Sequence, residues 1–334
     1  MSGGRLRRLL GYRGWKVWGS YDMHVCLCAA LYFLLIAGGD PLRTTLLLTS
    51  LGFYFMYGFL INDFFDMPLD VAAGKRRAVH ELSRAAFVSL IAAVIVTSGL
   101  HLWYLREPLY VAVYTAAYAL ATLYSAPPAR LKERGVAGVV VNGLIEKALP
   151  VLAVVAFFHS FGFDAFVLLT AAFLMGIADI VAHQIYDYES DAKTGCGSLV
   201  TRIGKERAIA LFRGFVAPLT SAALFTLSAL VSVRIPAAAI FVVLTALAYL
   251  YVFLLVRRGS WELEEEVFPL HLSCAFRTVN NVLPVVLVTV LGFRGASNLI
   301  LVPLVLFSQY KVVVQRLRML KARRVMHAEI VEEA

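Results

Sequence analysis

Ten stretches of this chain are apolar over about the length that crosses the hydrocarbon core of a bilayer, and nothing else in the sequence limits its fold as strongly. They fall at roughly 22–38, 41–61, 85–105, 109–123, 138–158, 164–185, 208–232, 236–256, 271–293 and 296–314. About 20 helical residues cover a core of about 30 Å. Inside it each backbone N–H and C=O must find its partner within the protein, so every stretch reads as helix. Only 16% of the residues are charged, against roughly a quarter in a soluble chain. The expected fold is an all-α, polytopic transmembrane helical bundle of nine to ten spans.

Basic residues orient the spans, because short cytoplasmic loops collect Lys and Arg. With ten spans, 25 of the 31 basic residues lie on one side, and the other side holds only Arg43, Arg106, Arg234 and Arg294. Both termini are therefore expected in the cytoplasm. We divide the chain into a basic N-terminus at 1–21, a membrane domain at 22–314 and a cytoplasmic tail at 315–334. The net charge of +9 suits anionic lipid better than nucleic acid, and no nucleic-acid partner is expected. A secretory signal at the N-terminus is disfavoured, since no soluble domain follows it. The four cysteines lack paired-thiol or zinc spacing, so apolar packing and no disulfide are expected.

An acidic pattern occurs twice where an apolar stretch runs out: Asn62-Asp63-Phe-Phe-Asp66-Met-Pro-Leu-Asp70-Val-Ala-Ala-Gly74 and Asp187-Tyr-Glu-Ser-Asp191-Ala-Lys-Thr-Gly195. Carboxylates four apart share a helix face and repel each other. Hard divalent cations would neutralise them, and Mg²⁺ is expected on Asp63, Asp66, Asp70, Asp187 and Asp191. The order of apolar pair, acidic loop, apolar pair at 22–123 and 138–256 suggests two repeats that set the acidic loops face to face around a central cavity. Magnesium held by carboxylates commonly bridges to phosphates. If the organic half of a diphosphate held that way is a long isoprenoid, a cavity open to lipid supplies its binding site, and departure of the diphosphate leaves an allylic cation. Between the acidic rows, Tyr124-Ser-Ala-Pro-Pro-Ala-Arg130-Leu-Lys132 stops a helix at two prolines and delivers cations fit for phosphate oxygens.

On these three motifs, over roughly residues 22–256, the chain resembles the UbiA superfamily of intramembrane prenyltransferases. The resemblance implies Mg²⁺-dependent transfer of a prenyl group from its diphosphate to an aromatic ring or another lipophilic acceptor. By position it makes Asn62, Asp63, Asp66, Asp70, Asp187 and Asp191 metal and diphosphate residues, with Tyr124, Arg130 and Lys132 beside them; Lys193 joins the diphosphate set. Where many members carry Arg-Pro, this chain has Gly74-Lys75-Arg76-Arg77-Ala78. A terpene cyclase of the same superfamily is the nearest rival reading, and a membrane transporter is a more distant one.

Other ionisable residues fall inside spans, where each is costly and points to function. Asp179, His183, Asp187 and Asp191 make one stripe. His183 is a candidate base, with pairing to Asp179 as the alternative. Asn142 and Glu146 are candidates for positioning the acceptor. The acidic connector within 257–270 reads as a solvated turn.

Overall fold

In the computed structural model, residues 12–72, 74, 78–257, 267–310 and 313–314 are described. The acidic connector, the cations at 75–77 and the basic ends of the chain lie outside them. Among the described residues the regular secondary structure is helical, with one isolated bridge between Gly135 and Ser198. A short 3₁₀ helix, Arg13–Gly19, leads into α1 (Tyr21–Ala37), α2 (Pro41–Ala72), α3 (Arg84–Leu105), α4 (Pro108–Ser125), α5 (Val136–Phe157) and α6 (Phe163–Tyr186). There follow α7 (Lys205–Arg234), α8 (Pro236–Arg257), α9 (Leu270–Arg294) and α10 (Ala296–Tyr310). Each of the ten expected stretches contains a helix among its described residues. Seven helices among the described residues are long and apolar enough to cross a membrane: α2, α3, α5, α6, α7, α8 and α9.

Local chemistry sets the ends. Ser20 and Ser83 accept hydrogen bonds from the backbone N–H groups of Met23 and Ala86 and so cap α1 and α3. α4 begins on Pro108 and stops ahead of Pro127 and Pro128, because proline suits a first turn but cannot continue a helix. Within the helices, hydroxyls such as those of Thr97, Thr226, Ser228 and Thr289 bond carbonyls one turn back, which satisfies them without water.

Packing closes the bundle into a ring: α2 lies on α4, α4 on α5, α5 on α6, α6 on α7, α7 on α9, α9 on α1 and α1 on α2. A cavity of about 700 Å³ opens within this ring. Two glycines let α5 and α6 approach closely. A Cβ on Gly176 of α6 would come within 2.8 Å of the Gly143 Cα on α5, so the two helices cross at backbone contact. Ion pairs tie the opposite end of the bundle together, with Arg43 on Glu107 at 2.7 Å and Arg234 on Asp164 at 3.1 Å.

The first acidic motif differs from the loop expected at 62–84. α2 runs on through Pro68 to Ala72, so Asn62 to Asp70 occupy its last turns rather than a loop. The second motif is a break between helices. Asp187 ends α6 and precedes a short helix, Tyr188–Thr194, that stops at Gly195 with φ of 69°, a conformation open to glycine.

Candidate functional site

Successive steps of four residues carry Asn62, Asp66 and Asp70 along one stripe of α2, and all three line the cavity. The facing wall carries Asp179, His183 and Asp187 at the same interval on α6, and Asp191 continues the stripe on the short helix; all four line the cavity. Both acidic rows thus meet in one space. Asp63 does not share it. It sits 100° round the helix from Asn62, is 0% exposed and accepts a hydrogen bond from the Tyr12 hydroxyl at 2.8 Å.

The basic loop closes the mouth. Lys132 Nζ bonds the Asn62 Oδ1 at 3.0 Å and pairs with the Asp66 carboxylate. Arg130 Nη2 reaches the same carboxylate at 3.0 Å, while its Nε bonds Glu133 at 2.6 Å. Arg130 holds a left-handed backbone with φ of 40°, costing about 1–3 kcal/mol in a non-glycine residue, so the fork is aimed by surrounding structure. Burial draws the Lys132 ammonium below the usual lysine range, against the pull of Asp66. Arg130, which burial would also lower, is carried above its ordinary value by Glu133 and Asp66. Asp70 faces His80, with 3.8 Å between Oδ2 and Nε2.

This loop is latched to the turn after the second acidic row. Gly135 N donates to Gly197 O at 3.3 Å, and Arg202 bonds both Glu133 O at 2.9 Å and Gly197 O at 3.0 Å. A Cβ on Gly197 would lie 2.7 Å from Glu133 O, so the approach needs glycine.

Deeper in, the walls turn apolar and aromatic with Tyr54, Phe55, Phe59, Ile145 and Ile180. The Tyr54 hydroxyl donates to Ile145 O at 2.6 Å, and Tyr57 stacks on Tyr118 with ring centroids 4.3 Å apart. At the floor lie Asp22, Asn142, Glu146 and Asp179. Between them Lys147, with its side chain 0% exposed, pairs with Asp179 at 2.9 Å and with Asp22. Glu146 and Lys147 occupy a π-helical turn, Leu144–Ala148, a widened turn common at functional sites.

Of the sequence candidates, Asn62, Asp66, Asp70, Tyr124, Arg130, Lys132, Asn142, Glu146, His183, Asp187 and Asp191 are brought to one cavity; Asp63 and the exposed Lys193 are not among the residues lining it. His183 does not pair with Asp179, because Lys147 takes that carboxylate; its Nε2 lies 3.4 Å from Asp187 Oδ2 instead. Sequence reasoning missed Asp22, whose signal was an acid at the very start of an apolar stretch. It also missed Ser125, which donates to Asn62 at 3.2 Å.

No three His, Cys, Asp or Glu side chains among the described residues cluster as a closed metal site. The donors that face one another are hard oxygens split between two walls. Such a set suits an ion that keeps waters and takes further ligands from a bound phosphate.

A ring of apolar helices with two acidic rows and a basic loop over one cavity defines a multi-pass membrane protein with a charged site at the mouth of an apolar cavity. The sequence pattern of the UbiA prenyltransferase family matches residues 25–275, and the chain belongs to that family. It is 32% identical over 184 residues to a lycopene elongase/hydratase of Halobacterium salinarum, a match covering 54% of this chain and 62% of that protein. The chain therefore spans less than two thirds of that relative's length. A UbiA homologue from Archaeoglobus fulgidus, solved bound to GPP and Mg²⁺, superposes with a TM-score of 0.55 at 19% identity over 82% of this chain and 100% of that one. A digeranylgeranylglyceryl phosphate synthase structure superposes with a TM-score of 0.52 at 16% identity, over 82% of this chain and 97% of that one. At these identities the structural likeness speaks for the fold.

Proposed function

We propose that this chain is a Mg²⁺-dependent intramembrane prenyltransferase, which moves an isoprenyl group from its diphosphate to a lipophilic acceptor and releases diphosphate. One observation carries the reading: both acidic rows and the basic loop line the mouth of a single cavity whose deeper wall is aromatic and apolar. The A. fulgidus homologue bound to GPP and Mg²⁺ supports it.

In this reading Asp66 and Asp70 on one wall and Asp187 and Asp191 on the other hold Mg²⁺, with Asn62 as a neutral oxygen donor. Bound there, Mg²⁺ neutralises charge that develops on a departing diphosphate. Arg130 and Lys132 bind phosphate oxygens from the opposite side, and the pairs they make with Asp66 keep that carboxylate neutralised beforehand. Tyr54, Phe55 and Phe59 offer ring faces to an allylic cation and exclude water from it. Asp63 acts from behind, fixing the Tyr12 segment to α2.

The relative named as a lycopene elongase/hydratase supports a linear polyene as the acceptor to try first. We place the mouth and both termini on the cytoplasmic side, from the distribution of Lys and Arg, and read the halves at 22–123 and 138–256 as a duplication. Purified protein in liposomes, given Mg²⁺, dimethylallyl diphosphate and lycopene, is expected to release diphosphate and form a heavier carotenoid, with both lost in Asp187→Ala. Diphosphate release that survives in that variant contradicts the assignment. A cyclic hydrocarbon formed from geranylgeranyl diphosphate without any acceptor would favour the cyclase reading instead.

A further inference from the structure

Below the acidic rows the cavity ends at one level on facing walls. The deepest residue lining it is Tyr54 on α2, Glu146 on α5 and Asp179 on α6, and α1 enters only with Asp22 at its start. Tyr54 lies eight residues below Asn62, and Asp179 eight below Asp187. At about 1.5 Å of rise per residue, both walls measure about 12 Å from acidic row to end. Along α4 the lining stops at Ala121, and the rings of Tyr118 and Tyr114 beneath it are covered by Tyr54, with centroids 5.5 and 5.9 Å away.

Tyr54 makes that end. In the ring of helices α4 stands between α2 and α5, yet the Tyr54 hydroxyl on α2 donates to Ile145 O on α5 at 2.6 Å. The side chain therefore spans the inner face of α4, and it is buried, at 3% exposure. The rings behind it are fixed in turn. Tyr118 shares a hydrogen bond with Ser98 Oγ at 2.6 Å, and Tyr114 donates to Ser50 O at 2.7 Å. At the same level lie Lys147 and its two carboxylates, Asp22 and Asp179. An apolar tail pressed among them would deprive ions of polar surroundings, which is costly.

We propose that Tyr54 sets the length of the prenyl donor, so that the chain takes allylic diphosphates of one or two isoprene repeats and rejects those of four. This inference rests on the prenyl-transfer reading above and deepens it. An extended chain advances about 1.2 Å per bond, so a repeat of four chain bonds needs about 5 Å. Two repeats fit between the acidic rows and Tyr54, whereas four need about 20 Å. A long acceptor needs only its reacting end inside the cavity. One turn above Tyr54, Gly58 also lines the space, and a Cβ built on it would meet nothing within 4 Å. A side chain placed there raises the end by about 6 Å, close to one repeat.

Full-length protein in liposomes with Mg²⁺ is titrated with non-ionisable thiodiphosphates carrying dimethylallyl, geranyl or geranylgeranyl chains. Each Kd is corrected for partition of the probe into empty liposomes, and the ratios between chain lengths are compared. Wild type is expected to bind the geranyl probe about 10-fold or more tighter than the geranylgeranyl probe, as even one ill-fitting carbon in an apolar pocket can cost this much. Tyr54→Ala is expected to lower that ratio about 10-fold. Tyr54→Phe, which keeps the ring and loses the hydroxyl, is expected to hold the wild-type ratio. Gly58→Leu is expected to move the limit the other way and to raise the preference for dimethylallyl over geranyl about 10-fold.

A wild-type protein that binds the geranylgeranyl probe as tightly as the geranyl one overturns the proposal, and so does an unchanged ratio in Tyr54→Ala. An equal shift in Tyr54→Phe and Tyr54→Ala overturns it too, because loosened packing rather than bulk would then be the cause. Should melting show that Tyr54→Ala does not fold, Gly58→Leu decides, and an unchanged preference in that variant contradicts the assignment. If wild type binds no probe of any length, the prenyl-transfer reading fails first, and this inference falls with it.

Discussion

Lys147 cannot stay charged in an apolar bundle without partners, and Asp22 and Asp179 supply them from two other helices. Removing one member of a buried ion pair costs about 3–5 kcal/mol, whereas replacing a whole set by neutral groups is often close to neutral. Lys147→Met is therefore expected to lower the melting temperature sharply in detergent, and the triple replacement of Asp22→Asn, Lys147→Met and Asp179→Asn to recover most of the loss. A single variant as stable as wild type would show the triad to be energetically idle. At the mouth, Asp66→Ala is expected to abolish diphosphate release while thermal melting still reports a folded protein. Asp66, Asp70, Asp187 and Asp191 were legible from spacing alone, because helical periodicity fixes which carboxylates share a face. Asp63 was misplaced, since nothing local in the sequence reveals that Tyr12 waits beside it. Asp22 was overlooked because its role exists only across a distance of 125 residues to Lys147.

At the level of elements, glycine decides how near the parts of the site can come. Gly176→Ala would drive a methyl to 2.8 Å from the Gly143 Cα, and Gly197→Ala one to 2.7 Å from Glu133 O. Backbone atoms cannot swing aside as a side-chain tip can, and overpacking of this kind costs about 1–3 kcal/mol. Gly197→Ala is expected to loosen the latch between the basic loop and the second acidic row. Its KM for the prenyl diphosphate should rise several-fold, with a fall in melting temperature of a few degrees; an unchanged KM would mean that the latch does not position Arg130 and Lys132. The helices themselves were readable because a bilayer leaves the backbone no other way to satisfy its polar groups. Their ends were less so. The continuation of α2 through Pro68 reflects packing that local propensity does not encode, since proline usually marks a boundary. The π-helical turn at Leu144–Ala148 likewise has no sequence signature, although it carries two charged residues at the cavity floor.

For the whole molecule, charge distribution predicts orientation. Cysteine replacing the exposed Lys193 is expected to react with a membrane-impermeant thiol reagent only from the cytoplasmic side, and cysteine replacing Arg106 only from the other side. The reverse pattern would invert the topology we propose. In the function we propose, the ring of helices, the central cavity and the two acidic walls hold an anionic headgroup at the membrane boundary while its chain stays in apolar surroundings. The central claim is that opposed carboxylates and the basic loop grip a diphosphate through Mg²⁺. Titration of the purified protein with a non-ionisable prenyl thiodiphosphate, with Mg²⁺ or with chelator, tests this most directly. We predict saturable binding that requires Mg²⁺ and disappears in both Asp66→Ala and Asp187→Ala. Equal affinity in chelator, or in both variants, would contradict it.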